Sequence, residues 1–332
     1  MAGAPHEEMD VARAAALLAA GEVVAFPTET VYGLGADAAN PAAVRKIYAL
    51  KGRPADHPLI VHLAPEARLA DWVAEMPAAA RALADAFWPG PLTLILRKSA
   101  RVPVEVTGGQ ETVGIRCPSH PLAQALLRSF AAVGSGAVAA PSANRFGRVS
   151  ATTAAHVRDE FGAKVPVLDG GEATLGLEST IVDVSRGAAV LLRPGAVTRE
   201  DIARVLGGAP RDRDADAPRA SGTLAAHYAP STPVRLVPPA DLEAQVEAAA
   251  CRGLRVAVLA RSAGPLAAAA VWHQAPADAA GYAHSLYGAL RALDANQADR
   301  IVVESPPDAP EWEAVLDRLA RAAAGAPETD EP

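Results

Sequence analysis

The apolar runs that read as strands in the first two hundred residues are only four to six residues long, and glycine, proline or a polar cluster stops almost every one. VVAF (23–26) ends at Pro27, LIVHL (59–63) runs into Ala64-Pro65, and LTLILR (92–97) emerges from Trp88-Pro89-Gly90-Pro91. Runs so short and so punctuated do not suit one doubly wound parallel sheet, so they predict a mixed, partly antiparallel sheet with helices packed on it. VGIRC (113–117), AVAA (137–140), VPVL (165–168), TIVDV (180–184) and AVLLR (189–193) supply further strands. Helices are expected at 10–20, stopped by Gly21, and at 41–51, from the N-cap Asn40 and first-turn Pro41 to the stop at Gly52. Others fall through RALADAF (81–87), at 121–130, at 152–161, and from Thr198, where Asp201 completes a capping-box pattern.

The pattern then changes. APRDRDADAPRASG (209–222) is charged, contains proline and lacks large apolar residues, which reads as a linker or exposed loop. Beyond HYAPSTP (227–233) come strand VRLV, helix 241–251, strand RVAVLA, helix 282–295, strand RIVVE and helix 311–323. That alternation predicts a small parallel α/β domain, and its strand ends carry no nucleophile or metal cluster. The expected division is 9–207, a linker at 208–233 and a second domain at 234–324. The tail GAPETDEP is expected to fray.

Half of the 332 residues are apolar but only 4% are aromatic, so the core must be mostly Ala, Val and Leu. No stretch approaches the roughly 18 apolar residues of a membrane span. His6, Glu7, Glu8 and Asp10 stand where a leader would be basic and then apolar, so a soluble cytoplasmic protein with no membrane partner is expected. Cys117 and Cys251 fall in different units and make neither a disulfide framework nor a zinc site. A net charge of −7 gives no global field for nucleic acid, so phosphate must be met by local clusters. Neither the P-loop pattern nor the dinucleotide glycine fingerprint occurs.

Five stretches carry candidate chemistry. In KGRPADHPLIVH (51–62), Lys51 and Arg53 leave a helix end beside a strand; alone, they read equally as solvated partners of the helix dipole. AAPSANRFGRVS (139–150) sets short hydroxyls, an amide and a glycine between cations, which suits phosphate oxygens or a plain serine-rich turn. In LDGGEATLGLESTIVDVS (168–185) the polar Glu178-Ser179-Thr180 enters an apolar strand, and such ends commonly face a ligand crevice. ETVGIRCPSHP (111–121) puts Arg116 inside a strand, where it needs an anion: a substrate carboxylate or an internal Asp or Glu. FPTETVYGLGADA (26–38) follows its strand with Thr28, Thr30 and Tyr32 in a tight, small-residue loop.

FPTETVYGLG, KGRPADHPL, APSAN, DGG…ESTIVD and LRPG, in that order, resemble the threonylcarbamoyl-AMP synthase family (YrdC-like domain), and HYAP followed by an α/β unit resembles its long form. The match is strong over roughly residues 9–200. The family's KxR…SxN tetrad is present as Lys51, Arg53, Ser142 and Asn144. The resemblance implies a YrdC-like twisted mixed sheet around a concave, positively lined pocket, with a small Rossmann-like parallel C-terminal domain. It implies that L-threonine, bicarbonate and ATP give threonylcarbamoyl-adenylate and pyrophosphate, for threonylcarbamoylation of position 37 in tRNAs reading A-starting codons. Mg²⁺ would arrive on the ATP phosphates, with no protein side chain as its ligand. A tRNA threonylcarbamoyl transferase would take the product, and a weak contact with tRNA would fit that role. By motif position, Thr30, His62, Arg116, Ala140 and Ser179 should surround threonine. Arg53, His57, Thr112, Ser142, Ser150, Arg193, His227 and Tyr228 should surround the nucleotide, with Lys51 and Asn144 beside the phosphates.

The chemistry suits those residue types. A carbamate oxygen must approach the α-phosphorus of ATP, so two anions meet and catalysis is mostly neutralisation and positioning. A plain tether would not carry His227, Tyr228 and Pro230 together, so HYAP is expected to fold back over the first unit's pocket. Two departures stand out: Ser221 precedes Gly222 where the family often has proline, and Arg145-Phe146-Gly147 follows Asn144 where it often has a Ser-Gly turn. The related hydrogenase-maturation carbamoyltransferases carry zinc-finger regions that two cysteines cannot supply. An RNA-binding or ribosome-assembly module using the basic concavity is disfavoured by acidic charge and few aromatics.

Overall fold

The structure is a computed structural model that describes residues 9–262 and 264–325; the start at His6-Glu7-Glu8 and the tail beyond Gly325 lie outside the described residues. The first unit runs α1 (Val11–Ala19), β1 (Val24–Phe26), β2 (Gly33–Asp37), α2 (Pro41–Lys51), β3 (Ile60–Leu63), α3 (Ala78–Phe87), β4 (Leu92–Arg97) and α4 (Val104–Thr107). It continues with β5 (Thr112–Arg116), α5 (Pro121–Val133), β6 (Ala137–Ala139), α6 (Ala154–Phe161), β7 (Thr180–Asp183), β8 (Val190–Arg193), α7 (Arg199–Leu206) and β9 (Arg211–Asp212). Among the described residues its nine strands form one sheet in the order β1-β2-β6-β3-β5-β4-β7-β8-β9, with both parallel and antiparallel pairs. The mixed sheet expected from the short runs is present.

Local signals explain the helix ends. Asn40 accepts the amides of Ala42 and Ala43, and Gly52 ends α2 at φ 64, a left-handed turn that glycine adopts at no steric cost. That turn swings the chain so that both Lys51 and Arg53 point inward and are buried. Thr198 and Asp201 do form a reciprocal capping box. Two expectations changed. GLGAD, expected as loop, is strand β2: a Cβ on Gly35 would lie 2.7 Å from Val138 and 2.8 Å from Phe26, so absent side chains let the strands close. VPVL touches the sheet only through an Ala25–Val167 bridge, since Pro166 has no N–H to give a ladder.

Helices cover one face of the sheet, where Val61, Leu94, Ile115 and Val182 pack with Val44, Ile47, Leu83 and Ile202. On the other face α1 and α5 cover only one end, through Leu18, Leu126 and Phe130 against Val24, Phe26 and Val138. The remainder of that face carries Ile60, Ile95 and Ile181, and the linker's Ala220 packs on them.

The second unit contains β10 (Val234–Val237), α8 (Leu242–Cys251), β11 (Val256–Ala260), β12 (Val271–Gln274), α9 (Ala279–Asp294), β13 (Arg300–Glu304) and α10 (Glu313–Ala324). Its strands are all parallel, in the order β10-β13-β11-β12. The edge strand β12, half-exposed and without alternation, was not expected from the sequence. Val31, Val149, Leu177 and Tyr228 from the first unit and linker share one apolar core with Tyr287, Leu290 and Leu319 of the second.

Candidate active site

Strand register decides what faces the uncovered part of the sheet. His62 lies opposite Arg116, Arg116 opposite Thr93, Thr93 opposite Ile181, and Ile181 opposite Arg193. Residues directly across a sheet share a face, so one row over five strands projects these side chains to the same side. His62, Arg116 and Arg193 of this row floor a cleft whose walls come from residues 28, 30–33, 140–142 and 178–179 and the linker residues 221–222 and 227–228. Three guanidiniums, Arg53, Arg116 and Arg193, line it against one carboxylate, Glu178.

Arg116 answers the question its burial raises. Its Nη2 donates to Glu29 at 2.7 Å, so an internal carboxylate does hold it, yet its Nε is buried with no partner. Thr28 donates its hydroxyl proton to the Val31 carbonyl at 2.6 Å. The 2.8 Å contact between Thr28 and Thr30 must then use the Thr30 proton, which leaves Thr30 Oγ1 as an acceptor toward the cleft. Ser179 Oγ contacts Thr93 Oγ1 at 2.7 Å and accepts from Arg193 at 3.2 Å. His62 has its Nδ1 3.2 Å from the Ile60 carbonyl. Burial, and then the Arg116 charge, push its pKa down to about 3, so the ring is neutral at pH 7. His227 is likewise held at about 3, chiefly by burial, with Arg53 and Lys51 adding to the effect.

The linker enters the cleft directly. Ser221 donates to the Pro58 carbonyl and accepts from Arg53 at 3.2 Å, while its own carbonyl accepts from Arg193 at 2.9 Å. Gly222, at φ 74, leaves room for the Tyr228 hydroxyl, which would stand 1.9 Å from a Cβ there. Tyr228 itself has φ 60, rare for a tyrosine, and its hydroxyl and His227 Nδ1 are buried without partners. Phe146, in the stretch that departs from the family, stands edge-on to both His57 (5.3 Å) and His227 (6.0 Å), with Arg53 over its ring at 5.7 Å.

Of the residues singled out in the sequence, Thr30, His62, Arg116, Ala140, Ser179, Arg53, Ser142, Arg193, His227 and Tyr228 all line this cleft. Five are set back from it. Lys51 donates to the carbonyls of Ser142 and Asn144, Asn144 to those of Arg145 and Arg148, and Ser150 to Glu178. His57 packs on Phe146, and Thr112 lines an adjoining hollow with Pro58, Ile60 and Ser221. Sequence reasoning placed Thr28 and Glu178 in candidate stretches but assigned them no ligand, and it passed over Glu29 and Thr93. Glu29 and Glu178 each adjoin a named residue, but they hold neighbouring groups in place, which a motif match by ligand contact does not flag.

The Sua5/YciO/YrdC family model, described as telomere recombination, matches residues 16–195, and a model described as threonylcarbamoyl-AMP synthase, C-terminal domain, matches 197–324. The chain is 43% identical to a threonylcarbamoyl-AMP synthase of Bacillus subtilis, over 95% of this chain and 93% of the relative. It is 39% identical to one of Pyrococcus abyssi, over 95% and 94%. A crystal structure of P. abyssi Sua5 complexed with L-threonine superposes with a TM-score of 0.88 at 38% identity, over 95% and 94% of the two chains.

Proposed function

The chain belongs to the threonylcarbamoyl-AMP synthase family, and on that premise we propose that its cleft joins L-threonine, bicarbonate and ATP into threonylcarbamoyl-adenylate and pyrophosphate. The supporting observation is that all five residues assigned to threonine and five assigned to the nucleotide line one cation-rich cleft. The threonine amine attacks bicarbonate, losing its proton as water leaves, and forms a carbamate. A carbamate oxygen then attacks the α-phosphorus, and the bond to pyrophosphate breaks.

Arg116 receives the threonine carboxylate at its unpartnered Nε, and Thr30 Oγ1 accepts the threonine hydroxyl. Neutral His62 and the Ala140 backbone close that end. Arg53, Ser142 and Arg193 meet the phosphates, and the adenosine end extends toward His57 and the Thr112 hollow. Lys51 and Asn144 shape the turn that presents Ser142, and Ser150 fixes Glu178. Mg²⁺ would come on the ATP phosphates and would neutralise the leaving pyrophosphate, while Glu178 is already held by Arg318, Tyr287 and Ser150. The linker 208–233 closes over the first unit (9–207), and His227 and Tyr228 exclude water from a labile acyl-adenylate. We place the protein in the cytoplasm, handing its product to a tRNA threonylcarbamoyl transferase for position 37, with a weak tRNA contact.

Pyrophosphate release from ATP should require threonine and bicarbonate together. A site that bonds the substrate hydroxyl rejects an analogue lacking it far more strongly than one lacking a methyl, which is worth about 1–3 kcal/mol. Serine should therefore be used better than valine. Release without either co-substrate, or valine used as well as threonine, overturns the reading.

A further inference from the structure

Arg318 lies in the middle of α10, on the apolar stripe of Val315, Leu319 and Ala322, and is fully buried. A guanidinium in such a place persists only where its donors find acceptors. One donor stays at home, on Asp317; the others cross to the first unit. Nε donates to Glu178 at 2.9 Å, Nη2 to the Pro194 carbonyl at 3.0 Å, and the guanidinium covers the Tyr228 ring at 5.2 Å. These three partners belong to three separate stretches bordering the cleft: ESTIVD, LRPG and HYAP. Tyr287, from α9, repeats the pattern. Its hydroxyl donates to Glu178 at 2.8 Å and its ring stacks on Tyr228 at 5.8 Å.

We infer that Arg318 and Tyr287 are positioning residues supplied by the C-terminal unit, which neutralise Glu178 and hold Tyr228 so that Arg193 stays available to the substrate anion. Two physical arguments carry this. Glu178 is the one carboxylate on a cleft that must accept a nucleoside triphosphate. Freed from Arg318, it would repel the phosphates and compete for Arg193, which now donates to the Ser179 carbonyl and the linker. Second, Tyr228 holds a left-handed backbone, φ 60, that is unfavourable for a tyrosine and is kept by packing on its ring. Arg318 and Tyr287 both pack on that ring and both bond Glu178.

The activity readout rests on the reaction proposed above; a second readout does not. In the full chain, Arg318→Met is expected to raise the KM for ATP about tenfold or more with a smaller fall in kcat, and Arg318→Lys to recover part of the loss. Adding Glu178→Gln to Arg318→Met should lower the KM again, because the uncompensated charge is gone. A merely structural arginine would instead give additive losses. Tyr287→Phe keeps the ring, removes one bond to Glu178, and should raise the same KM by a few-fold; it carries the test if Arg318→Met does not fold. Limited trypsin cleavage at the exposed Arg213, just past β9, should quicken in Arg318→Met as the linker loosens. An unchanged KM for ATP in Arg318→Met and Tyr287→Phe, or strict additivity with Glu178→Gln, overturns the inference. If the unmodified protein makes no threonine-dependent pyrophosphate, the proposed reaction fails, and unchanged trypsin cleavage then decides against the positioning role by itself.

Discussion

Lys51 and Arg53 stand two residues apart and both are buried, yet they face different partners. Lys51 gives its protons to the Ser142 and Asn144 carbonyls, and burial, reinforced by Arg53, pushes its pKa well below the ordinary lysine value. Its amino group is therefore an internal hydrogen-bonding brace for the turn that carries Ser142. Arg53 lines the cleft, bonds the linker hydroxyl of Ser221, and lies over Phe146. The two substitutions should separate accordingly. Lys51→Met strands two buried carbonyls, at about 1–3 kcal/mol each, so Tm and kcat should fall together. Arg53→Met removes a donor aimed at developing charge, so turnover should drop about 10²-fold while Tm changes little. Thermal unfolding measured beside pyrophosphate-release kinetics checks this. Equal Tm losses in the two variants would refute the division of roles.

At the scale of elements, the cross-strand row explains why the site was partly legible. Short runs gave strands β3, β4, β5, β7 and β8 within a residue or two, and an arginine inside a strand marked Arg116. Register was not legible, because it depends on which strands pair, and sequence spacing says nothing of that between distant runs. So Thr93, opposite Arg116, escaped notice. Strand β2 escaped because glycine has no β preference of its own; only the crowding by Phe26 and Val138 shows why it is needed. The row also has a pH consequence. His62 on β3 and His227 in the linker are both held at about 3, mainly by burial, whereas in the unfolded chain each titrates near 6.5. Below pH 6.5 the unfolded chain therefore binds protons that the folded one refuses. Stability is lost as pH falls from 6.5 toward 3, by about 1.4 kcal/mol per pH unit for each histidine. Between pH 7.5 and 5.5, above the carboxylate range, urea midpoints should drop, and His62→Gln should reduce that drop. An equal drop in His62→Gln means that His62 is not buried neutral.

At the scale of the whole molecule, the alternation of strands and helices disclosed the second unit but not its attachment. The clue to attachment was present in α10: Arg318 shares its stripe with Val315, Leu319 and Ala322, where a helix facing only its own core would carry an apolar residue. If HYAP is only a lid over the cleft, residues 1–220 are expected to stay folded and lose most activity; if it is a plain tether, they keep full activity. The seam argues for a different outcome. Cutting at 220 exposes Val31, Val149 and Leu177, and strips Glu178 of Arg318 and Tyr287 while leaving Ser150 and the nearby Arg193 charge. At present Glu178 is held at about 2: burial pushes it up, but Arg318 and then Arg193 outweigh that. The fragment loses the apolar burial of that seam together with the two groups that offset and hold the Glu178 carboxylate. The fragment 1–220 should therefore unfold markedly below the full chain. Glu178→Gln in the fragment should restore part of the difference, although in the full chain the same change breaks a satisfied network and lowers Tm. That reversal of sign between fragment and full chain is what differential scanning calorimetry should find. A fragment as stable as the whole protein, or the same sign in both backgrounds, would mean that the second unit only leans on the first.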